Sequence, residues 1–251
     1  MAWTRIALDC VDLDETDHGD NAARATPDER ERASRFRSPV DVRRFLARRV
    51  HLRMLLAEAL GRQADDIAFS LGKFGKPSIA DSSLSFSTSH SNGLFLTAIG
   101  KQRLGCDVER RDPGCDLMNL ATLTFTASEM RWFTGLGQSK RADAFYDRWT
   151  RKEAYLKAIG VGLSMAMTDF AMSPDPLRIV TAEGSNDQWS AVSWSPRPGY
   201  QAALVAESGG WRVGHRQSGL PTPGREEGSA SAFQRFCVVG NGRNTAINNT
   251  R

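Results

Sequence analysis

The chain has 251 residues, of which 40% are hydrophobic and 25% are charged, and its formal net charge is +4. These values are typical of a globular protein with a sizeable core in one large or two small domains. The four cysteines form no C-x-x-C pair, no basic-then-apolar leader opens the sequence, and no apolar run approaches the ~20 residues that cross a bilayer. Composition therefore argues against a disulfide framework, secretion and a membrane partner, and we expect a cytoplasmic protein.

The N-terminal segment predicts a strand followed by an acidic loop. Thr4–Leu8 is predicted to form the first strand. The carboxylates that follow are crowded and lack the regular spacing of metal ligands, so they predict a solvated loop, with a metal site as the alternative. These carboxylates are Asp9, Asp12, Asp14, Glu15, Asp17 and Asp20.

An arginine-rich stretch comes next and predicts two helices. From Arg24 to Arg62 there are 11 arginines against five acids, so this stretch could meet an anion. Thr26-Pro27-Asp28-Glu29 offers a capping threonine, a proline at the first helical position and acids in the first turn, which predicts a helix start. A longer helix is predicted from Ser38 to Leu60, with Gly61 as the residue that ends it.

The longer helix carries pairs of arginines at i, i+4 spacing. Arg44 pairs with Arg48 in this way, and Arg49 pairs with Arg53. Like charges at this spacing repel by a few tenths of a kcal/mol per pair. A bound phosphate would relieve the repulsion, and a solvated surface with nearby acids is the alternative.

Two polar features follow before the middle of the chain. The turn over Gly72–Ile79 places Lys76 at its tip, and its spacing is not that of a Walker A loop. A strand predicted over Leu84–Ser91 ends on Ser89-His90-Ser91. No acid lies nearby in the sequence to complete a nucleophilic triad, so a structural histidine is the simpler interpretation of these residues alone.

A pair of carboxylates marks a later strand. After a strand predicted at Leu94–Ile99, the segment Leu104–Arg111 predicts another, on which Asp107 and Glu109 point to the same face. Two carboxylates that close repel unless a cation lies between them. The pair indicates either solvent-facing acids on an edge strand or a site for a hard divalent metal.

Helices are predicted next. Leu117–Ala121 forms one, and Thr126 caps a second through Glu129 at its third position. The second helix is predicted to continue through Trp132 and Phe133 and to end at Leu136-Gly137.

A third helix carries an aromatic ring, a carboxylate and an ammonium on one ridge. Trp149, Glu153 and Lys157 lie at successive i, i+4 positions, and Gly160 ends the helix. An exposed ion pair is the simplest interpretation of the carboxylate and ammonium, and a role in a site is the alternative.

The rest of the sequence predicts short strands and then a tail. The strands are Phe170–Met172, Leu177–Val180, Trp189–Trp194, Tyr200–Val205 and Trp211–Val213. Residues 217–251 are rich in glycine, proline, serine, asparagine and arginine, with one apolar interruption at Phe233–Val239. This composition predicts a disordered or weakly attached tail.

Three segments, in this order, resemble the patterns of the Sfp-type 4′-phosphopantetheinyl transferases. The first pattern is Gly75-Lys76-Pro77 with Ser89-His90-Ser91, the second is Gly105-x-Asp107-x-Glu109, and the third comprises Trp149, Lys152, Glu153, Ala154, Lys157 and Gly160. Each pattern is weak alone, but the three together make a strong resemblance that covers roughly residues 4–213.

The resemblance implies an α+β fold of two similar halves related by a pseudo-two-fold axis. Each half would be a long helix packed on a small, mostly antiparallel sheet, with the active site in the cleft between the halves. Residues 1–103 would form the N-terminal half, which contacts the phosphates and adenosine of coenzyme A. Residues 104–216 would form the C-terminal half with the metal and catalytic carboxylates, and the protein would be a monomer.

The family reaction moves the 4′-phosphopantetheine arm of coenzyme A onto a serine of an apo acyl or peptidyl carrier protein and releases 3′,5′-ADP. By resemblance, Asp107, Glu109 and Glu153 would hold Mg²⁺ in an all-oxygen site. Glu153 would also take the serine proton, and Lys157 and His90 would be the other catalytic residues.

The resemblance also implies the residues that bind coenzyme A. They are Arg32, Arg44, Arg48, Lys76, Ser89, His90 and Lys157. Glu129 is expected to be a secondary carboxylate of the site. The sequence departs from the family at Arg32, where a lysine is common, and at Glu29, where some members have another lysine, which puts that end of the coenzyme contact in doubt.

Two other functions remain open at this point. The same carboxylates could serve a metal-dependent pyrophosphate hydrolase that uses water in place of serine. A sequence pI near 9.0 could indicate nucleic acid, but the basic residues have no interleaved exposed aromatics or recognisable motif, so we expect no nucleic-acid partner.

Overall fold

Two helices of 22 residues each, packed on separate sheets, organise the protein. The computed structural model describes residues 4–15, 20–172, 179–181, 184–186, 188–207, 211–215 and 239–240. The helices are α1 (Asn21–Arg24), α2 (Pro27–Ala33), α3 (Pro39–Leu60), α4 (Leu117–Thr124), α5 (Ala127–Thr134) and α6 (Gln138–Ile159). Short 3-10 turns cover Ala64–Asp66, Gly162–Ser164 and Met167–Asp169.

The strands form two main sheets and two small ones. The strands are β1 (Thr4–Asp12), β2 (Phe69–Leu71), β3 (Pro77–Ile79), β4 (Ser85–Ser91), β5 (Leu94–Gly100), β6 (Leu104–Arg110), β7 (Phe170–Met172), β8 (Ile179–Thr181), β9 (Gly184–Asn186), β10 (Trp189–Trp194), β11 (Tyr200–Glu207), β12 (Trp211–His215) and β13 (Val239–Gly240). The main sheets have the orders β13-β12-β1-β5-β4 and β10-β11-β6, and the small ones are β2-β3 and β7-β8-β9. The pairings are antiparallel except that of β1 with β12, which is parallel.

Local chemistry accounts for the start of α3 and for the ends of both long helices. The Ser38 side chain caps α3, and Gly61 ends it with φ of 64°. Gly160 ends α6 in the same left-handed conformation, with φ of 75°. The capping box that the sequence predicts at Thr126 is present on α5, which ends two residues earlier than predicted, at Thr134.

Three apolar clusters hold the two long helices and the two main sheets together. Leu52, Leu55 and Leu56 of α3 pack on the five-stranded sheet, while Ala154, Tyr155 and Leu156 of α6 pack on the three-stranded sheet. Between the two sheets lies a third core that includes Leu8 of β1, Leu96 of β5 and Val108 of β6. The mixture of helices and small, mostly antiparallel sheets that the sequence predicts is therefore confirmed.

The predicted acidic loop is wrong over its first half. β1 runs on to Asp12 because residues 7–12 pair with β5, so Asp9 and Asp12 lie in a strand. Asp9 is buried against His51 at 2.7 Å, and Asp12 forms an ion pair with Arg197. Asp17 lies outside the described residues.

The division into halves is more interwoven than a single cut at residue 103 suggests. That cut falls between β5 and β6, but β12, from the predicted C-terminal half, pairs with β1 of the first sheet. Of the tail that is predicted to be disordered or weakly attached, Val239–Gly240 forms β13 on β12. The rest of 217–251 and residues 177–178 of a predicted strand lie outside the described residues.

None of the described helices has the length and apolar character that crossing a membrane requires.

Candidate active site at the crossing of α6 and β6

The candidate site forms where α6 crosses β6 at Gly105. A Cβ placed on Gly105 would lie 2.9 Å from the carbonyl carbon of Lys157 and closer still to the carbonyl oxygen of Ala154. Only a residue without a side chain permits so close an approach of helix to strand. The crossing brings Lys157 of α6 into contact with Asp107, which lies two residues after Gly105 on β6.

Asp107, Ser89 and Lys157 form a closed triangle of contacts. The Lys157 ammonium donates to Asp107 Oδ1 at 2.7 Å and to Ser89 Oγ at 3.0 Å. The Ser89 hydroxyl in turn donates to the same Asp107 oxygen at 2.7 Å. Burial alone would lower the pKa of Lys157, but the charge of Asp107 and the hydrogen bond to it raise that pKa above its usual value. Lys157 is therefore held as a cation beside a buried carboxylate.

The second oxygen of Asp107 is open to a further ligand. Asp107 is 2% exposed, and its Oδ2 has no hydrogen-bond partner within the described part of the chain. A buried carboxylate oxygen without a partner is unfavourable, by roughly 1–3 kcal/mol. This oxygen therefore marks a place that a cation or a donor on a substrate would fill.

Two glutamates adjoin Asp107 and have raised pKa values. Burial, followed by the charge of Asp107, raises the pKa of Glu109 to about 7. Burial, again followed by the charge of Asp107, raises the pKa of Glu153. The charge of Asp107 thus acts on both glutamates, as the shared strand face and the helix crossing require.

The oxygen atoms of Asp107, Glu109 and Glu153 are suitable ligands for a hard divalent cation. All three side chains present carboxylate oxygens, the donors that Mg²⁺ prefers, and Asp107 Oδ2 is free among the described residues. As placed, no three acidic, histidine or cysteine side chains of the described chain converge closely enough to hold an ion. The magnesium site thus stays a prediction that this donor set supports.

Serine hydroxyls of β4 join the edges of the two main sheets. Ser91 Oγ donates to Glu109 Oε2 at 2.9 Å and accepts the Arg110 amide at 3.0 Å. Ser87 Oγ accepts the Cys106 amide at 3.1 Å. Sequence reasoning assigned Ser89 to the coenzyme and gave Ser87 and Ser91 no role. The sequence does contain a pattern that could have indicated these contacts. A serine stands at every second position of β4, so the serines share one strand face, as Asp107 and Glu109 do on β6.

His90 lies away from this cluster, on the other face of β4. Alternation along the strand places it with Phe86, which packs under α3, and the side chain of His90 is exposed. The structure therefore does not bring His90 to Asp107. It places His90 on the side of the sheet that carries the arginines of α3.

The predicted arginines differ in whether an acid of this chain already pairs with them. Asp14 binds Arg44 through both of its oxygens. In the described chain no carboxylate lies within ion-pair distance of Arg48 or Arg32. Burial, together with the charges of Arg32, Arg44 and Arg49, lowers the pKa of Arg48 to about 10, with Asp41 acting in the opposite direction. A half-buried guanidinium in that setting is a natural anion site.

The second arginine pair needs no external anion. Arg49 and Arg53 both bind Glu29, at 2.9 and 2.7 Å, and Glu29 also accepts the Thr26 amide at the start of α2. Glu29 is 6% exposed. Its departure from the family pattern is therefore explained as a buried structural ion pair that fastens α2 to α3.

Lys76 points inward rather than lying at the tip of its turn. Its ammonium donates to the Leu104 carbonyl at 3.0 Å and to the Ala158 carbonyl at 3.2 Å, which joins the start of β6 to the last turn of α6. Burial lowers its pKa to about 8. The structure places Lys76 at the end of its turn, where the carbonyls at the C-terminus of α6 attract its ammonium.

Glu129 is not a secondary carboxylate of the site. It is 4% exposed and binds Lys152 at 2.7 Å and Arg148 at 3.1 Å, while its oxygens also accept the amides of Thr126 and Met172. Lys152 is fully buried and donates to the carbonyls of three further segments, at Thr124, Met167 and Phe170. Lys152 thus anchors α6 next to Glu153, a role that sequence reasoning missed because lysine is normally a surface residue.

Comparisons with known proteins agree on one family. A family model described as the 4′-phosphopantetheinyl transferase superfamily matches residues 103–205, and one described as 4′-phosphopantetheinyl transferase, N-terminal, matches residues 16–102. The 4′-phosphopantetheinyl transferase HetI of Nostoc is 34% identical over 209 residues, covering 80% of this chain and 86% of that protein. The 4′-phosphopantetheinyl transferase Sfp of Bacillus subtilis is 28% identical over 184 residues, covering 72% and 81%. The crystal structure of a holo-[acyl-carrier-protein] synthase of Thermotoga maritima has a TM-score of 0.33 at 23% identity, covering 46% of this chain and 69% of that one.

Proposed function

Because this chain belongs to the 4′-phosphopantetheinyl transferase superfamily and transfers the phosphopantetheine group of coenzyme A to carrier proteins, we propose that the cluster of Asp107, Glu153 and Lys157 is its active site. The observation that carries the proposal is the pairing of buried Asp107 with Lys157 at 2.7 Å, with one Asp107 oxygen left open among the described residues. The comparisons give no support to a hydrolase or to a nucleic-acid-binding module.

Glu153 is the proposed general base. The serine hydroxyl of the carrier protein attacks the phosphorus that bears the pantetheine arm, and its proton passes to the Glu153 carboxylate. Burial raises the pKa of Glu153, assisted by the charge of Asp107 and opposed by that of Lys157. A carboxylate whose pKa is raised accepts a proton more readily near neutral pH than one in water. The new phosphodiester stays on the carrier protein.

Lys157 is proposed to stabilise the leaving group. The bond that breaks joins the attacked phosphorus to the bridging oxygen of 3′,5′-ADP, so negative charge develops on the departing phosphate. Asp107 raises the pKa of Lys157 and so keeps the ammonium charged. A fixed ammonium at this position stabilises that charge without having to reorganise.

Asp107, Glu109 and Glu153 are proposed to hold Mg²⁺. A divalent ion bound to these oxygens supplies positive charge to the pyrophosphate. Ser89 and Ser91 fix the orientations of Asp107 and Glu109 through their hydroxyls. These orientations are what a rigid oxygen site needs.

The coenzyme is proposed to be anchored on the arginine side of the first sheet. Arg48 has no carboxylate partner among the described residues, and its neighbours Arg32 and Arg44 add positive charge. His90 lies on the same face of the sheet. Lys76 and Ser89, whose polar atoms contact the protein here, would reach the coenzyme by changing a partner, so their binding roles remain predictions.

The overall arrangement we propose is a monomer of two pseudo-symmetric halves with the coenzyme in the cleft between them. The two 22-residue helices, each on its own sheet, support this arrangement. The division near residue 103 and a cytoplasmic location are parts of the same proposal.

The proposal is tested by incubating the protein with coenzyme A, Mg²⁺ and a panel of apo carrier proteins. We expect the intact mass of at least one carrier to increase by one phosphopantetheine, with 3′,5′-ADP released only when that carrier is present. Release of 3′,5′-ADP without any carrier would instead indicate a hydrolase.

A further inference from the structure

Asp14 forms an ion pair with the guanidinium of Arg44, one of the arginines that are proposed to bind the coenzyme. The Arg44 Nε donates to Asp14 Oδ1 at 3.0 Å and the Arg44 Nη2 donates to Oδ2, while Arg43 donates to Oδ1 at 3.1 Å. This is the two-pronged geometry by which arginine binds a carboxylate or a phosphate equally well. The side chains of Arg44 and Asp14 are 24% and 34% exposed, so a solute can reach the pair.

The backbone at Asp14 is held against the turn between β4 and β5. The Leu13 amide donates to the Gly93 carbonyl at 2.8 Å, and the Asp14 amide donates to Asp12 Oδ1 at 2.8 Å. A Cβ placed on Gly93 would lie 2.5 Å from Asp14 Oδ2, so the carboxylate lies directly on the turn between β4 and β5. Gly93 follows His90 by three residues, so the Asp14 carboxylate lies at the end of β4 that carries His90.

Arg44 differs from its neighbour Arg48 because an acid of this chain already pairs with it. Arg48 has no carboxylate partner among the described residues, but Arg44 is neutralised by Asp14. The hydrogen bond from Arg44 is the main cause of a lowered pKa for Asp14, so this carboxylate is ionised and competes with other anions at neutral pH.

We propose that Asp14 is an internal competitor for the 3′-phosphate of coenzyme A and thereby sets the affinity of the enzyme for its substrate. This inference rests on the proposed function. A phosphate can engage Arg44 only in molecules whose Asp14 has swung away. The measured affinity is then the intrinsic affinity multiplied by the fraction of molecules in that state.

The proposal predicts which ligands Asp14 affects. Coenzyme A and 3′,5′-ADP carry the 3′-phosphate, and dephospho-coenzyme A does not. Replacing Asp14 by asparagine keeps the shape and removes the charge that holds Arg44. We expect Asp14→Asn to bind coenzyme A and 3′,5′-ADP about three- to tenfold more tightly, as expected for loss of a partly exposed ion pair, and to bind dephospho-coenzyme A unchanged.

Calorimetric titration of the full chain with the three nucleotides tests this. Asp14→Glu keeps the charge and should leave all three affinities near the wild-type values. Glu31→Gln is the matched control, because it removes the same charge from an exposed pair with Arg35, at 2.6 Å, elsewhere in the arginine-rich segment. Asp14→Ser serves as a second neutral variant in case Asp14→Asn does not fold, as judged by its thermal midpoint.

Each outcome decides the question. Tighter binding of the two 3′-phosphate ligands alone, in the neutral Asp14 variants alone, supports the proposal. Unchanged or weaker binding of these ligands by the neutral variants overturns it. The proposal also fails if dephospho-coenzyme A gains as much affinity as coenzyme A, or if Glu31→Gln binds coenzyme A as tightly as Asp14→Asn does, since either result shows a general charge effect. If the wild-type protein binds none of the three nucleotides, the proposed function itself fails and the inference fails with it.

Discussion

Gly105 of β6 lies so close to Ala154 of α6 that no side chain fits between them. This contact sets the distance between the strand that carries Asp107 and Glu109 and the helix that carries Glu153 and Lys157. The glycine of the Gly-x-Asp-x-Glu pattern is therefore needed for the spacing of the site rather than for its chemistry.

Replacing Gly105 by alanine should push α6 away from β6. The new methyl group would meet backbone atoms of Ala154, Lys157 and Ala158, which cannot rotate aside. We expect the free energy of unfolding to fall by about 2–4 kcal/mol and transfer to drop with it. Gly114→Ala is the control, because its nearest neighbour would be an ordinary 3.5 Å contact. Urea unfolding measures the loss of stability in both variants. Equal, small losses in free energy of unfolding would show that the crossing of α6 and β6 tolerates a side chain at position 105.

Removing the charge of Lys152 should destabilise the protein strongly. Lys152→Met leaves the buried Glu129 carboxylate with Arg148 as its only cationic partner among the described residues. Breaking one side of a buried ion pair lowers the free energy of unfolding by about 3–5 kcal/mol. The double variant Glu129→Gln/Lys152→Met should lose less than the sum of the single losses, since no uncompensated carboxylate remains.

The control for that experiment is Arg35→Met, which removes a cation from a largely exposed pair with Glu31. Its loss should be within about 0.5 kcal/mol. If Lys152→Met lowers the free energy of unfolding by as little as Arg35→Met does, the buried pair stabilises the protein no more than an exposed one. Strictly additive losses in the double variant would show that Lys152 and Glu129 are not coupled.

Glu109 should make the metal-free protein less stable as the pH rises. Burial and then the charge of Asp107 raise its pKa from 4.5 to about 7 in the folded protein. The folded state therefore holds a proton that the unfolded state has already released, and this contribution to stability is lost as the pH rises from 4.5 to 7. Glu109→Gln has no such proton to lose.

Urea unfolding in the presence of a chelator checks this expectation. Relative to wild type, Glu109→Gln should gain about 1–3 kcal/mol in free energy of unfolding near pH 8 and much less near pH 5. A difference between variant and wild type that is the same at both pH values would show that the Glu109 pKa is ordinary.

Glu153 and Lys157 should fail in different ways when replaced. Glu153→Gln removes the base and should lower single-turnover transfer by about 10²–10⁴-fold, while the affinity for coenzyme A changes much less. Lys157→Ala should weaken both binding and rate, because an ammonium contacts phosphate in ground and transition states alike. Calorimetry beside single-turnover transfer measures both. Loss of binding alone in Glu153→Gln would pass the role of base to Glu109 or to a bound water.

The sequence predicted those features that depend on neighbouring residues. The capping box at Thr126, the stop at Gly160 and the shared face of Asp107 and Glu109 all follow from local periodicity or from the preferences of single residues. The structure has each of them where the sequence predicts it.

Long-range pairings could not be predicted in this way. Asp9 finds His51 across 42 residues, and Lys76 finds Ala158 across 82. Asp14 was assigned to a solvated loop because nothing in its neighbours shows that Arg44 will be brought to it. Such contacts depend on how sheets and helices pack, which a single sequence does not reveal.

The central claim is that the protein loads carrier proteins through the site around Asp107. The most direct test is the intact mass of an apo carrier protein that the wild-type enzyme accepts, followed in time with coenzyme A and Mg²⁺, for wild type and Asp107→Ala side by side. We expect wild type to add one phosphopantetheine, and Asp107→Ala to remain folded but to add almost none, with only partial rescue by excess Mg²⁺. A folded Asp107→Ala variant that loads the carrier at the wild-type rate would contradict the account.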